Sequence, residues 1–303
     1  MDWKTSHPVT REGDLVQLVG LSHKNFILRL KADAVFQSHR GVVGHNDLIG
    51  IPWGSEVSSH KGSPFFVLPP SFADLLIDTP RSTQILYPKD IGFIMLSLGV
   101  SPDSKIIEAG TGSGALTCAF ANALGEGGRI VSYEVKPDVQ NRARKNLDRL
   151  GLLEKVDLRL RDIADGFDEE GADILFLDVQ DPHNHIAHVR RALKPGGSFG
   201  CILPTMNQVS LLITELRRRD FIFIEVCEIL LRYYKTEPTR LRPVDRMVAH
   251  TGFLIFARPV IRSQSSLDLQ DELQGDSQDT IAADGLYETL TDEIMDDADE
   301  ISE

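Results

Sequence analysis

Glu108-Ala109-Gly110-Thr111-Gly112-Ser113-Gly114, closed 20 residues after Gly114 by Glu134, is the stretch that decides the fold. The apolar Lys105-Ile106-Ile107 before it reads as a short buried strand, and Ala115 to Ala123 after it as a helix. Strand, glycine turn, helix, strand and terminal acid make the mononucleotide-binding half of a doubly wound sheet. Glycines at such a turn let the backbone pass close to a ligand where a Cβ would collide. Glu134 ends the second strand, where a carboxylate can accept both hydroxyls of a ribose. The pattern alone does not choose the nucleotide, because Gly110, Gly112 and Ala115 also satisfy the dinucleotide form GxGxxA.

Outward from the turn, the chain divides into three compositional units. Residues 1–70 carry short alternating runs, at Asp14 to Val19, Asn25 to Leu30, Val35 to His39, Ser55 to Ser59 and Phe65 to Leu68, separated by glycine and polar turns. This predicts a small antiparallel β unit over residues 1–75. Ser71 is the expected cap of a short helix, with Asp74 at its third position. Residues 76–260 alternate between strand and helix patterns. Strands are expected near 105–109, 129–134, 156–160, 173–178, 198–203, 221–228 and 250–258, and helices near 88–98, 113–124, 137–150, 184–193 and 205–219. The last two strands are joined without a clear helix, so they are expected to pair antiparallel at the sheet edge. Leu193-Lys194-Pro195-Gly196-Gly197 reads by itself as a helix C-cap turn leading into the fifth strand. The fold class is therefore α/β: a doubly wound, seven-stranded sheet with a small N-terminal β domain.

The net charge of −13 over 303 residues is uneven. Residues 261–303 contain 14 acids and one base, Arg262, so residues 1–260 sum to zero. That acidic tail is expected to be disordered. Most basic clusters of the folded part read as solvated helix faces. Arg240 and Arg242 differ, because they share one long connection with Tyr233 and Tyr234, a mixture suited to a nucleic-acid backbone and splayed bases. Lys24, Arg29, Lys31 and Arg40 give the β unit its own basic residues. No run of 18 apolar residues exists, so no membrane partner is expected. Cys118, Cys201 and Cys227 lack CxxC spacing and lie in apolar contexts, which suits reduced residues of a cytoplasmic protein. His183, His185 and His188 have a spacing that can hold a metal, but no acid or cysteine pattern completes a site, and no metal is expected.

After the fourth strand comes Leu177-Asp178-Val179-Gln180-Asp181-Pro182, and then LKPGG; this order resembles the class I methyltransferases that use S-adenosylmethionine (SAM). Arg81-Ser82-Thr83-Gln84-Ile85-Leu86-Tyr87-Pro88-Lys89-Asp90, about twenty residues before the glycine turn, narrows it further. It resembles the signature of the tRNA adenine-N1 methyltransferases that modify position 58 of the T loop. Asp47-Leu48-Ile49-Gly50-Ile51-Pro52-Trp53-Gly54-Ser55, Gly62-Ser63-Pro64-Phe65, Arg242-Pro243 and His250-Thr251-Gly252-Phe253 are similar to the same family, so the resemblance spans roughly residues 10–258.

The resemblance implies SAM as methyl donor, tRNA as substrate and a homotetramer. It implies that Leu86, Gly110, Gly112, Ser113, Gly114 and Ala115 hold the cofactor. Glu134 takes its ribose, and Asp162 and Ile163 meet its adenine. Asp178 takes the catalytic position beside the cofactor, Tyr87 stacks on the target base, and Gln84, Tyr87, Tyr233, Arg240 and Arg242 contact RNA. The plain structural readings are a helix-capping aspartate at 178 and a hydrophobic staple at Tyr87. Gln180 and His183 stand where the family often has proline and tryptophan, Ser82 where glycine is common, and Val139 where some members have arginine. A protein methyltransferase of the isoaspartate type and a non-catalytic tRNA-binding subunit are the alternatives.

Overall fold

A computed structural model describes residues 3–4, 6–20, 25–80 and 86–263. Gln84 and Lys24 lie outside the described residues, as does the acidic stretch from 264 onward.

The first part of the chain forms six short strands: β1 (Leu15–Gly20), β2 (Asn25–Arg29), β3 (Val35–Ser38), β4 (Gly41–Gly44), β5 (Glu56–Ser58) and β6 (Pro64–Leu68). Four of them make an antiparallel sheet in the order β2-β1-β6-β5, and β3 and β4 form a separate hairpin. Val16, Leu18, Leu30, Val43, Leu48, Phe65 and Val67 are the buried centre of this unit. Sequence reading missed β4, because Gly41-Val42-Val43-Gly44 is too short to signal a strand without the partner it meets at Val35–Ser38.

Helix α1 (Phe72–Ile77) begins as the sequence predicts. The Ser71 hydroxyl accepts from the Asp74 amide, and Asp74 reaches back to the Ser71 amide. Helix α2 (Pro88–Ser97) follows, with Pro88 at its first position, where the missing N–H costs nothing.

Then comes the alternating part: β7 (Lys105–Ala109), α3 (Ala115–Ala123), β8 (Arg129–Glu134), α4 (Pro137–Arg149), β9 (Val156–Leu160), β10 (Ala172–Leu177), α5 (Ile186–Ala192), β11 (Leu193–Leu203), α6 (Met206–Arg218), β12 (Phe221–Cys227), a two-residue hairpin of β13 (Tyr234–Lys235) and β14 (Arg242–Pro243), and β15 (Phe253–Pro259). The seven long strands form one sheet in the order β12-β15-β11-β10-β7-β8-β9. Strands β7 to β11 pair parallel, and β15 runs antiparallel to both β11 and β12. The predicted edge hairpin is therefore present.

Successive side chains of a strand point to opposite faces, and the buried residues divide accordingly. Ile106, Ile130, Ile174, Ile202 and Leu254 pack with α1, α2, α3 and the end of α4. Ile107, Val131, Leu175, Phe199 and Ile255 pack with α5 and α6. Helices cover both faces, as a buried parallel sheet requires.

Two local readings need correction. The glycines of LKPGG do not cap α5: its C-cap is Leu193, already extended and paired with Ala172, and Gly196 (φ +70°) and Gly197 fall where the register shifts between Ala172 and Ile174. Arg29 is committed inside the chain rather than presented to RNA. Its guanidinium donates to the carbonyls of Gly13 and Arg149, fastening β2 to the end of α4. Among the described residues, no helix is long and apolar enough to cross a membrane.

Candidate active site

The strand order reverses between β7 and β10, and open α/β sheets bind ligands at the carboxyl ends flanking such a point. A cavity of about 500 Å³ opens there, within the range of small-molecule sites. Gly110, Gly112, Glu134, Lys136, Val139, Ile163, Asp178 and Gln180 are among its lining residues. A second, smaller hollow shares Gly110, Gly112 and Asp178 and adds Leu86, Glu108, Ser113 and Ala115.

The glycine turn has a specific steric reason. Gly110 sits at φ +91°, and a Cβ placed on it would stand 2.0 Å from the carbonyl oxygen of Asp178. The ends of β7 and β10 are thus closer than any side chain at 110 permits, and the Asp178 amide donates to the Ala109 carbonyl at 2.8 Å. Gly114 fits close against α4, where its Cβ would meet that of Ala143 at 3.2 Å.

Three carboxylates surround the turn. Glu134 is held by backbone amides: Oε2 accepts from Gly112 at 3.1 Å, and Oε1 from Val135 and Lys136 at 3.0 Å each. Glu108 is fully buried, and its Oε2 accepts from the hydroxyls of Thr117 and Ser132 at 2.6 Å each. Burial pushes its carboxyl up to about 7; the two hydroxyl bonds oppose this, and the charges of Asp178 and Glu134 add to it. Asp178 follows β10 and opens its side chain onto the cavity, yet it stands on a crowded floor with the Gly110 backbone against it. Desolvation among the surrounding strand ends pushes its carboxyl up to about 6, and the negative charge of Glu134 contributes further. The loop behind Asp178 is pinned from α6: Gln208 Nε2 donates to the Gln180 carbonyl at 2.8 Å, and the Thr205 hydroxyl donates to Gln208 Oε1 at 2.7 Å.

The structure gathers most of the sequence-predicted cofactor residues at these two cavities: Leu86, Gly110, Gly112, Ser113, Ala115, Glu134, Ile163 and Asp178. Gly114 lies behind them as the residue capping α3. Asp162 does not line either cavity. Its side chain is spent on the Ala164 amide at 2.9 Å, capping a short turn, and Ile163 alone faces inward. Tyr87 is half-buried at the start of α2, next to Leu86, and is not a lining residue. Tyr233, Arg240 and Arg242 are exposed on the β13–β14 hairpin and its turn, away from the lining set. His188 Nδ1 meets Arg191, while Nδ1 of His183 and of His185 is buried without a hydrogen-bond partner. Among the described residues, no three metal-capable side chains converge.

Sequence reasoning overlooked Glu108 as a site residue, although it opens the glycine run. The signal was its position: an acid near the end of a buried strand, directly before the glycine turn.

Residues 66–244 match the family model described as tRNA methyltransferase complex GCD14 subunit, and residues 9–57 match the TrmI-like N-terminal model. The tRNA (adenine(57)-N(1)/adenine(58)-N(1))-methyltransferase TrmI of Methanocaldococcus jannaschii is 32% identical over 80% of this chain and 93% of its own. The chain belongs to the tRNA (adenine-N1)-methyltransferase family. Among solved structures, a SAM-dependent O-methyltransferase from Thermotoga maritima is 41% identical with a TM-score of 0.81, covering 85% of this chain and 97% of its own. The tRNA (m1A58) methyltransferase TrmI of Aquifex aeolicus is 32% identical with a TM-score of 0.74, covering 84% and 100%. Family membership sets the chain apart from the protein-repair methyltransferases that its glycine motif alone also suggests.

Proposed function

We propose that this chain transfers a methyl group from SAM to N1 of adenine 58 in the T loop of tRNA. The observation that carries the reading is the meeting of Gly110 and Asp178 at the strand-order reversal, within a family of tRNA adenine-N1 methyltransferases.

The residues present fit SAM. Glu134 is aimed by three amides and has the geometry to accept ribose hydroxyls. Ile163 and Val139 offer apolar surface for a purine. The hollow at Leu86, Glu108 and Ser113 is polar enough for an amino-acid end. When bound there, SAM supplies a sulfonium-activated methyl group.

What remains for the protein is placement and charge. Adenine N1 carries an in-plane lone pair, so no strong base is required to make a nucleophile. Holding it in line is an approximation effect that supplies at most roughly 7–11 kcal/mol. Methylation leaves the purine cationic. The negative charge of Glu134, which helps to raise the Asp178 carboxyl, favours a positive charge arriving beside it, and an ionised Asp178 adds to that attraction. An ionised Asp178 also accepts from the adenine amino group. Gln208 keeps the Asp178 loop still by holding the Gln180 carbonyl. Tyr87 stacks on the extruded base, which must leave its loop to reach the cavity.

Tyr233, Arg240 and Arg242 contact RNA from the exposed hairpin, with Gln84 contributing from the TQ motif. Residues 1–75 act as an accessory β domain, 76–260 as the catalytic domain and 261–303 as an acidic tail. The separate apolar centre of the β unit supports this division. A homotetramer is favoured by apolar side chains left bare at the sheet edge and beyond it. Phe223 is 73% exposed, Leu230 58% and Leu241 69%, each available for burial against another subunit. The reaction belongs in the cytoplasm with its tRNA substrate.

Labelled SAM and an unmodified tRNA transcript test the reading. Label should enter the transcript and should be lost when adenine 58 is replaced by guanine. Equal labelling of both transcripts would refute it.

A further inference from the structure

Lys89 is a charged side chain in an unexpected place. It follows Tyr87 and Pro88 at the start of α2, and only 6% of its side chain is exposed. Its three ammonium protons have three acceptors, each at 2.7 Å: Asp90 Oδ1, the carbonyl of Ile229 and the hydroxyl of Thr251. Ile229 lies just past the end of β12, and Thr251 just before β15. One buried cation thus joins the two roots of the connection 228–252, and joins both to the turn that carries Leu86 and Tyr87.

A second stitch lies beside it. His250 Nδ1 meets Glu228 Oε2 at 2.8 Å, and its Nε2 meets the Pro204 carbonyl at 3.2 Å. Pro204 precedes Thr205, whose helix holds the Asp178 loop through Gln208.

The arrangement is a poor source of stability. Asp90 is fully buried, and its Oδ2 has no hydrogen-bond partner. Desolvating an ion pair costs about as much as its attraction returns, so an apolar pair at this place would serve the core equally well. A buried ion pair with one oxygen left bare points to geometry as its use. The connection it closes is almost wholly exposed and carries Tyr233, Arg240 and Arg242.

We propose that Lys89 and Asp90 are positioning residues for methyl transfer. The clamp fixes both roots of the 228–252 connection to the start of α2, so that RNA held by the connection meets Asp178 in one register. This rests on the tRNA reading above, and it assigns the Lys-Asp pair of the YPKD motif a task separate from cofactor binding.

The test uses the full-length protein with Lys89→Met, which keeps length and removes charge, and Thr251→Val, which removes one acceptor. Three quantities are measured: SAM affinity by calorimetry, kcat and KM for tRNA, and tryptic cleavage after Arg232, Lys235 or Arg240. For Lys89→Met, kcat should fall at least about tenfold, in line with the cost of a small misplacement of reacting groups, while SAM affinity stays within about twofold. Cleavage in the connection should speed up while residues 105–134 stay protected. Thr251→Val should show the same pattern more weakly and decides the matter if Lys89→Met does not fold. Unchanged kcat and cleavage in the variants would overturn the proposal. So would loss of SAM affinity in step with kcat, because the pair would then only hold the fold. If the wild-type protein methylates no tRNA, the substrate reading fails, and the cleavage pattern still reports whether the clamp exists.

Discussion

Gly110→Ala should be far more damaging than its single added methyl suggests. The new Cβ would stand 2.0 Å from the Asp178 carbonyl oxygen and 2.8 Å from its carbonyl carbon, both main-chain atoms that no rotamer change can move. Ordinary carbon–oxygen contact needs more than an ångström of further separation, so the ends of β7 and β10 must part. Two costs add. Alanine at φ +91° carries the left-handed backbone penalty of about 1–2 kcal/mol. Forced overpacking adds about 1–3 kcal/mol. Together they predict a stability loss of about 2–5 kcal/mol. The functional loss is steeper, because the part that moves carries Asp178, and displacing reacting groups by about an ångström costs on the order of a hundredfold in rate. Gly99→Ala is the control: Gly99 also has positive φ, at +66°, but no atom lies within 4 Å of its would-be Cβ. It should lose only the backbone penalty, about 1–2 kcal/mol, and keep full turnover. Chemical denaturation and methyl transfer at saturating SAM and tRNA measure both effects. Equal behaviour of the two variants would refute the claim that close approach at Gly110 shapes the site.

Asp178→Asn keeps the shape and removes the charge, so turnover should fall about 10²–10³-fold while SAM affinity changes little. The native state holds the Asp178 proton more tightly than the unfolded chain, so this group's contribution to stability declines as pH rises from about 4 to about 6. The asparagine variant should therefore lose no stability at pH 7, which thermal melts will check. For the same reason, kcat/KM of the wild-type protein should climb with pH through about 6 and then level off; a rate independent of pH between 5 and 7 would remove Asp178 from its role. Glu134→Ala should weaken SAM binding by about 1–3 kcal/mol in calorimetry, the usual loss for charged hydrogen bonds. Arg240→Ala and Arg242→Ala should each reduce the slope of log affinity for tRNA against log salt by about one, with SAM affinity unchanged.

Much of this molecule is legible in its sequence, because its strongest signals are local. The capping box at Ser71 and Asp74, the proline at the head of α2 and the Ile106–Ile107 and Ile130–Val131 alternations are short-range patterns, and each appears where expected. The turn residues of the cofactor site are equally local: Glu134 and Ile163 line one cavity and Leu86 the adjoining hollow, and Gly110, Gly112 and Asp178 belong to both. What sequence reading misses depends on distant partners. Strand β4 exists through β3, and Leu193 is extended because it pairs with Ala172. Arg29 looks like a free base until the Arg149 carbonyl, on another element, claims it. Lys89 looks like an ordinary helix-start lysine until Ile229 and Thr251 fold back on it. The raised carboxyls of Glu108 and Asp178 arise first from desolvation and then from the charge of Glu134 nearby, neither of which spacing along the chain reveals.

The central claim concerns which atom receives the methyl group. Unmodified tRNA incubated with the protein and SAM, digested to nucleosides and analysed by mass spectrometry against standards, answers it directly. The account predicts 1-methyladenosine, mapped to position 58 by arrest of reverse transcription, and its absence with the Asp178→Asn variant. A 2′-O-methylated nucleoside, or no methylated adenosine at all, would contradict it.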